Sequence, residues 1–153
     1  MQEPEKQVSV AKIEIDKLPG TAILRESSLI TCAPYGNKDQ ADFVNQVLEV
    51  ESSLSPLELL SALLSIEANM GRIRKEKWGA RLIDIDILMA GAEVICHEED
   101  GDGPELKVPH PDFHNRLFTL ELLNELCPDA KHPVLHETIS ELYGHLLKSG
   151  GKP

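Results

Sequence analysis

The segment RLIDIDILMAG (residues 81–91) places two aspartates one residue apart within a run of isoleucine and leucine. Side chains alternate across a β-strand, so residues i and i+2 share a face. The segment therefore predicts a strand over 82–89 that turns its isoleucines toward the core and turns Asp84 and Asp86 toward the opposite face. The Cα atoms of the two aspartates would lie roughly 6–7 Å apart in such a strand.

Two carboxylates at that separation repel each other unless cations bridge them. Mg²⁺ takes oxygen ligands and commonly keeps water molecules and substrate phosphates in its coordination sphere. The pair Asp84 and Asp86 is therefore a candidate magnesium site. The alternative is an exposed strand face on which both aspartates are simply solvated.

The window 72–81, directly before this pair, is strongly basic, although the whole chain carries a net charge of -11. Guanidinium groups bind phosphate oxygens in a bidentate manner, and phosphoryl-type transfer depends mainly on positioning and on neutralising charge. The window therefore favours such a transfer, with Trp78 stacking on a heterocycle or closing the site. The alternative is a solvated linker that Trp78 anchors. The basic residues of the window are Arg72, Arg74, Lys75, Lys77 and Arg81.

The segment FVNQ (residues 43–46) is a candidate grip for a flat heterocycle. Phe43 and Asn45 share one face of a strand, so the ring can stack while the amide offers both a donor and an acceptor. Taken without context, an ordinary strand with one hydrogen-bonded asparagine is the favoured interpretation.

The segment VPHPDFHNRLF (residues 108–118) places His110 and His114 at a spacing that imitates a zinc pair on a helix. Pro109 and Pro111 argue against a helix there, and no third ligand is evident, so we reject zinc. We expect His110 and Arg116 to face a phosphate or a base instead.

Composition narrows the class of protein. A chain of 153 residues with 41% hydrophobic content predicts one domain, over residues 1–148, followed by a flexible tail at 149–153. The acidic net charge argues against nucleic-acid binding, and no apolar stretch approaches the roughly 20 residues of a membrane-spanning helix. Three cysteines without a C-x-x-C pair indicate free thiols in a reducing compartment, so we expect a cytoplasmic protein.

Periodicity and end signals predict an α+β layer fold. In the first helix, the apolar stripe is Val8, Ala11, Ile15 and Leu18, and the end Leu18-Pro19-Gly20 is a helix stop. The central helix has Ser55 as its N-cap and is expected to end at Gly71; its stripe contains Leu59, Leu63, Ile66 and Met70. The predicted order is the first helix, strands over 22–32 and 43–51, a helix over 56–70, the strand over 82–89, and helices over 115–126 and 136–147.

The segments DFVNQVLEV, IEANMGRIRKEKWGARLIDIDIL and VPHPDFHNRLF together make the chain resemble the 6-hydroxymethyl-7,8-dihydropterin pyrophosphokinase family of folate biosynthesis. That family's signature is R-W-G-P-R-x-[IL]-D-[LI]-D-[IL], from which this chain departs at Lys77 and Ala80. The resemblance implies a ferredoxin-like α/β sandwich of βαββαβ type, with an antiparallel sheet covered by helices. It also implies a monomer that transfers pyrophosphate from its co-substrate ATP to the pterin hydroxymethyl group and releases AMP.

The resemblance further implies a role for each matching residue. Asp84 and Asp86 would hold two Mg²⁺ ions that bridge the ATP phosphates, and Arg72 and Arg81 would contact phosphates during the reaction. The nucleotide side would comprise Glu67, Arg74, Trp78, Ile87, His110 and Arg116. The pterin side would comprise Phe43, Phe118, Asn45, Cys32, Pro34 and Tyr35, with Trp78 closing over the assembled site.

The start of the chain departs from the family pattern, in which a short strand and a Gly-Ser-Asn loop come first. We therefore expect the first strand to be absent from this chain and the reading frame to begin upstream of Met1. Otherwise, the sheet rearranges or a neighbouring chain fills the gap by self-association. Weakened pterin binding would follow. The alternative functions are a non-catalytic pterin- or nucleotide-binding relic, an assembly partner of folate enzymes and, last in rank, a metal-dependent glycosyltransferase.

Overall fold

A computed structural model describes residues 4–32, 43–74, 83–101 and 103–149. It confirms a mixture of helices with small antiparallel sheets. The elements, in chain order, are α1 (Pro4–Asp16), β1 (Thr21–Glu26), β2 (Ile30–Cys32), β3 (Phe43–Asn45), β4 (Leu48–Ser52), α2 (Pro56–Arg74), β5 (Ile95–His97), β6 (Leu106–Val108), a 3₁₀ turn (Phe113–Asn115), α3 (Leu117–Leu126) and α4 (Ile139–Lys148).

The strands form three antiparallel pairs, β1 with β4, β2 with β3 and β5 with β6. Each of the two predicted strands, over 22–32 and 43–51, is therefore divided in two. Ser27 lies at the break, where its hydroxyl accepts a hydrogen bond from Val47 N at 2.9 Å and its carbonyl accepts one from Gln46 Nε2 at 2.7 Å. Serine side chains compete with ladder hydrogen bonds in this way, so the break stays hydrogen-bonded.

The prediction of a strand over 82–89 is wrong for the residues of that range that the structure describes. Residues 83–90, which we call the acid segment, belong to no strand ladder among the described residues. The expected alternation is nevertheless present, because Ile83, Ile85 and Ile87 pack against a buried cluster whereas Asp84 and Asp86 are exposed. Burial of the isoleucines fixes which side each residue faces, and that burial does not require a paired strand.

The first core cluster joins α1 to α2. It confirms the apolar stripe predicted for α2 and, for α1, the part formed by Ala11 and Ile15. Its buried members are Ala11, Ile15, Leu63, Ile66 and Met70. α1 ends before Gly20, which has a φ of 64°, as the predicted stop requires.

The N-terminus of α2 has the predicted cap, because Ser55 Oγ accepts from Glu58 N at 3.2 Å and Glu58 Oε1 accepts from Ser55 N at 2.9 Å. The predicted end at Gly71 is wrong, and α2 continues to Arg74. Gly71 is not among the residues of positive φ, so it lacks the left-handed conformation that ends a helix.

Two further clusters complete the core. The second joins the 3₁₀ turn, α3 and α4, and the third lies beneath the β5–β6 hairpin, which the sequence did not predict. The acid segment touches all three clusters: Ile87 packs against the first and third, and Leu88 and Met89 pack against the second. In the part of the chain that the structure describes, no helix is long and apolar enough to cross a membrane.

Candidate active site

Two backbone hydrogen bonds hold the acid segment. Ile85 N donates to Glu67 Oε2 of α2 at 2.6 Å, and His110 N donates to Leu88 O at 2.8 Å. The first contact lies at the residue between the two aspartates, and the second lies two residues beyond Asp86. The aspartates are therefore exposed on a backbone that is anchored from two directions.

His110 lies near the acid segment with one ring nitrogen already engaged. Asp112 N donates to His110 Nδ1 at 3.1 Å, so the neutral ring carries its proton on Nε2. Burial lowers the pKa of His110 below its ordinary 6.5, and the positive charge of Arg116 lowers it further, whereas Asp86 and Asp112 oppose the shift. Two other predicted site residues, Asp86 and Arg116, thus each act electrostatically on His110.

Arg116 is oriented by residues that sequence reasoning missed. Asp112 Oδ2 lies 3.6 Å from Arg116 Nε, and Asp112 Oδ1 accepts from Asn115 Nδ2 at 3.0 Å. The hydrogen bond from Asn115, followed by the charge of Arg116, lowers the pKa of the Asp112 carboxyl. The spacing Asp112-x-x-Asn115, a common polar turn pattern, is the signal that could have identified this support.

The pterin-side residues that the structure describes lie on three elements, β2, β3 and α3. In the β2–β3 ladder the backbone of Cys32 lies directly opposite that of Phe43, and Asn45 is exposed at the end of β3. Phe118 is partly buried in the first turn of α3.

Only some of the predicted basic residues lie in the part of the chain that the structure describes. Arg72 and Arg74 belong to the last turn of α2. The remaining predicted residues, Pro34, Tyr35, Lys75, Lys77, Trp78 and Arg81, lie outside the described residues.

The donor set fits Mg²⁺. Asp84 and Asp86 present oxygen ligands on the exposed side of the acid segment, and Mg²⁺ completes its octahedron with water and substrate phosphates. Among the described residues, no group of three or more His, Cys, Asp or Glu side chains is arranged to hold a metal ion.

A pocket of about 280 Å³ lies beside the β5–β6 hairpin and shares only His110 with the predicted site. Its walls are mainly apolar or imidazole groups, which do not match a triphosphate. We therefore place the candidate chemistry at the acid segment. The pocket is lined by Val94, Ile95, Cys96, Lys107, Val108, Pro109, His110, Pro111, His114, His132, Val134 and Leu135.

Comparison with known proteins gives a consistent result. Residues 1–128 match the family model described as 7,8-dihydro-6-hydroxymethylpterin-pyrophosphokinase. The chain is 37% identical over 147 residues to the 2-amino-4-hydroxy-6-hydroxymethyldihydropteridine pyrophosphokinase of Haemophilus influenzae, covering 94% of this chain and 88% of that protein. It is 40% identical over 131 residues to the protein of the same name from Pseudomonas aeruginosa, covering 86% and 77%.

A third relative is a much longer protein. The chain is 35% identical over 145 residues to the folic acid synthesis protein fol1 of Schizosaccharomyces pombe, covering 95% of this chain and 19% of that protein. The resemblance seen in the sequence is supported by the family model and by the two bacterial relatives. The exposed aspartates of the acid segment are consistent with it. The chain belongs to the 7,8-dihydro-6-hydroxymethylpterin-pyrophosphokinase family.

Proposed function

We propose that this chain transfers the pyrophosphoryl group of ATP to 6-hydroxymethyl-7,8-dihydropterin, a step of folate biosynthesis. The pterin hydroxyl oxygen bonds to the β-phosphorus and gives up its proton to water, the bond between that phosphorus and the α,β-bridging oxygen breaks, and AMP leaves. The observation that carries the proposal is the exposure of Asp84 and Asp86 on an anchored backbone, beside a histidine, His110, on which both Asp86 and Arg116 act electrostatically.

The acid pair binds and neutralises, and it does not need to act as a strong base. Asp84 and Asp86 would hold two Mg²⁺ ions, which supply Lewis-acid neutralisation of the phosphate oxygens when bound. Arg72 and Arg81 would contact the phosphates, and the neutral Nε2–H of His110 would donate toward the nucleotide. Phosphoryl transfer of this kind depends on alignment of the attacking and leaving oxygens.

The two substrates would occupy neighbouring surfaces. ATP would contact the nucleotide side, and the pterin would stack between Phe43 and Phe118 while Asn45 reads its edge. The exposure of Asn45 and the opposition of Cys32 and Phe43 in one ladder support this arrangement. The full nucleotide side is Glu67, Arg74, Trp78, Ile87, His110 and Arg116, and the other pterin residues are Cys32, Pro34, Tyr35 and Trp78.

The same proposal includes a ferredoxin-like sandwich formed as a single domain over residues 1–148. Three antiparallel strand pairs and the packing of α1 on α2 support it. Cys96 and Cys127 are free thiols, which suits a reducing compartment such as the cytoplasm. The retained acid pair favours catalysis over a pterin-binding relic or an assembly partner.

The test is a coupled assay that measures AMP formed from ATP by the purified chain. We expect AMP only when Mg²⁺ and 6-hydroxymethyl-7,8-dihydropterin are both present. The proposal would be contradicted by AMP formation that does not depend on the pterin, or by a lack of AMP at saturating concentrations of ATP and the pterin with Mg²⁺ present. Omitting each component in turn provides the matched controls.

A further inference from the structure

We propose that Glu67 is a positioning residue that sets the orientation of Asp84 and Asp86 by binding the backbone between them. The inference deepens the proposed function and rests on it. In this inference Glu67 holds the backbone of the acid segment in place, in addition to lying on the proposed nucleotide side. Two observations carry it: the hydrogen bond to Ile85 and the way the acid segment is packed.

The contact is short and central. Glu67 Oε2 accepts from Ile85 N at 2.6 Å, across 18 residues of sequence. Hydrogen bonds in which one partner is ionised are shorter and stronger than neutral ones. Because Ile85 separates the two aspartates, a single carboxylate restrains the backbone on which both acidic side chains are mounted.

The acid segment needs this acceptor. Buried or partly buried backbone N–H groups require a partner, and in a strand that partner is the carbonyl of a neighbouring strand. Residues 83–90 belong to no ladder among the described residues, so a helix side chain takes that place at Ile85. His110 N supplies the second anchor at Leu88 O.

Packing adds the third restraint. The side chain of Ile85 packs against the first core cluster, to which the buried neighbour of Glu67, Ile66, also belongs. With its side chain held inward and its N–H held by Glu67, Ile85 has little rotational freedom about the segment axis. The carboxylates of Asp84 and Asp86 are then directed outward together, as ions shared with a polyphosphate require.

Glu67 is not arranged as a third metal ligand. Glu67, Asp84 and Asp86 all lie in the described part of the chain, where no three such side chains form a metal-holding group. A direct contact between its carboxylate and the triphosphate would also bring like charges together. Binding the backbone avoids both difficulties.

The test compares Glu67→Ala, Glu67→Gln and a matched control, Glu58→Ala. Glu58 lies on the same helix and also accepts a backbone N–H, from Ser55 at 2.9 Å, but it is in the first turn of α2, away from the acid segment. The first readout is the rate of hydrogen exchange at the Ile85 amide, measured by NMR in the absence of ligands. We expect faster exchange in Glu67→Ala, near wild-type protection in Glu67→Gln, whose amide oxygen still accepts, and no change in Glu58→Ala.

The second readout is the affinity of Mn²⁺ for the complex of the chain with a non-hydrolysable ATP analogue, measured by electron paramagnetic resonance. Loss of a residue that orients metal ligands typically weakens metal binding about 10–100-fold, and we expect a loss in this range for Glu67→Ala. Glu67→Gln should lose less, and Glu58→Ala should match the wild type.

Two results would overturn the inference: Ile85 exchange that is unchanged in Glu67→Ala, or faster exchange with unchanged Mn²⁺ affinity. If Glu67→Ala does not fold, Glu67→Gln decides. Wild-type protection of Ile85 with a Mn²⁺ loss below about 10-fold supports positioning, whereas a loss of about 10-fold or more with Ile85 still protected shows that the charge itself acts and overturns the inference. The AMP assay of the wild-type chain tests the proposed function separately, since neither readout depends on turnover.

Discussion

Asp84 and Asp86 lie on the exposed side of the acid segment, whereas the isoleucines between and beside them are packed against α1 and α2. Each aspartate thus keeps its carboxylate in water while its backbone is held by protein. Two carboxylates so arranged attract divalent cations because mutual repulsion is relieved when a cation is shared. If the proposed function holds, the positive charge of Arg116, which acts on His110, would provide a second attraction for phosphate oxygens.

Replacing either aspartate should stop the reaction. We expect Asp84→Asn and Asp86→Asn each to lower the rate of AMP formation by about 100-fold or more. The side chain keeps its size but loses the negative charge that would bind Mg²⁺, and Mg²⁺ would neutralise the phosphates. Asp129→Asn, at an exposed turn after α3, is the control and should retain wild-type turnover. Near wild-type rates in both active-site variants would exclude the two-ion proposal.

His132 is a second histidine whose protonation state is set by its surroundings. It is 3% exposed, and its Nδ1 accepts from Val134 N at 3.2 Å and from Leu135 N at 3.0 Å. Burial, followed by the charges of His114 and His136, lowers the pKa of His132 below 6.5. A proton on Nδ1 would face two N–H donors, so the folded state favours the neutral ring.

The stability of the chain should therefore fall on mild acidification. The unfolded state binds more protons than the folded state near His132, so the stabilisation is complete above pH 6.5 and is lost as the pH falls through the lower folded pKa. We expect urea midpoints to decrease between about pH 7 and pH 5, and His132→Gln to decrease less steeply. Equal slopes in the wild type and in His132→Gln would contradict this account.

The sequence predicted which side of the acid segment each residue faces, because alternation is a local property of five residues. It did not predict the contact from Glu67 to Ile85, since that hydrogen bond depends on how α2 is placed against the acid segment. His110 and Arg116 were expected to share a site, and they do interact. The supporting residue Asp112 was missed because its role becomes visible only when the turn is folded.

Helices were better predicted than strands. α1 and α2 follow apolar stripes of helical spacing, and the Ser55–Glu58 cap is encoded within four residues. The strands depend on pairing partners that lie elsewhere in the sequence. The interruption at Ser27 and the β5–β6 hairpin were therefore not predicted. Pairing is a tertiary property that local composition specifies weakly.

α4 begins with a capping box of the same kind as α2. Thr138 Oγ1 accepts from Glu141 N at 3.1 Å, and Glu141 Oε1 accepts from Thr138 N at 2.9 Å. We expect Thr138→Ala to lower the free energy of unfolding by about 1 kcal/mol, measured by urea denaturation. Ser140→Ala, at an exposed position in the first turn, is the control, and an equal loss in both variants would argue against a specific cap.

At the scale of the whole molecule, the three hydrophobic clusters meet at the acid segment. Ile87 contacts the first and third clusters, and Leu88 and Met89 contact the second. The candidate site is therefore supported by residues drawn from α1 through α4. A change in any cluster can reach the aspartates through packing, because interiors are dense and transmit displacement.

Leu120 tests how much the second cluster contributes. It is 0% exposed and packs among Phe113, Ile139 and Leu142. We expect Leu120→Ala to lower the free energy of unfolding by about 2–5 kcal/mol, because it removes buried methyl groups and leaves a cavity. Leu147→Ala, at a side chain that is 52% exposed on α4, should change the unfolding free energy by less than about 0.5 kcal/mol; a loss as large as that of Leu120→Ala would show that exposure does not decide the cost.

The distribution of the clusters along the chain has a consequence for synthesis. Every residue of the first cluster precedes Leu88, whereas the second cluster is built mostly from residues 113–146. A nascent polypeptide can thus assemble α1, α2 and their isoleucine contacts while α3 and α4 are still being translated. Until those last helices leave the ribosome, Val47, Leu88 and Met89 lack the apolar surface that later covers them, and this is the period in which a chaperone would have most to bind.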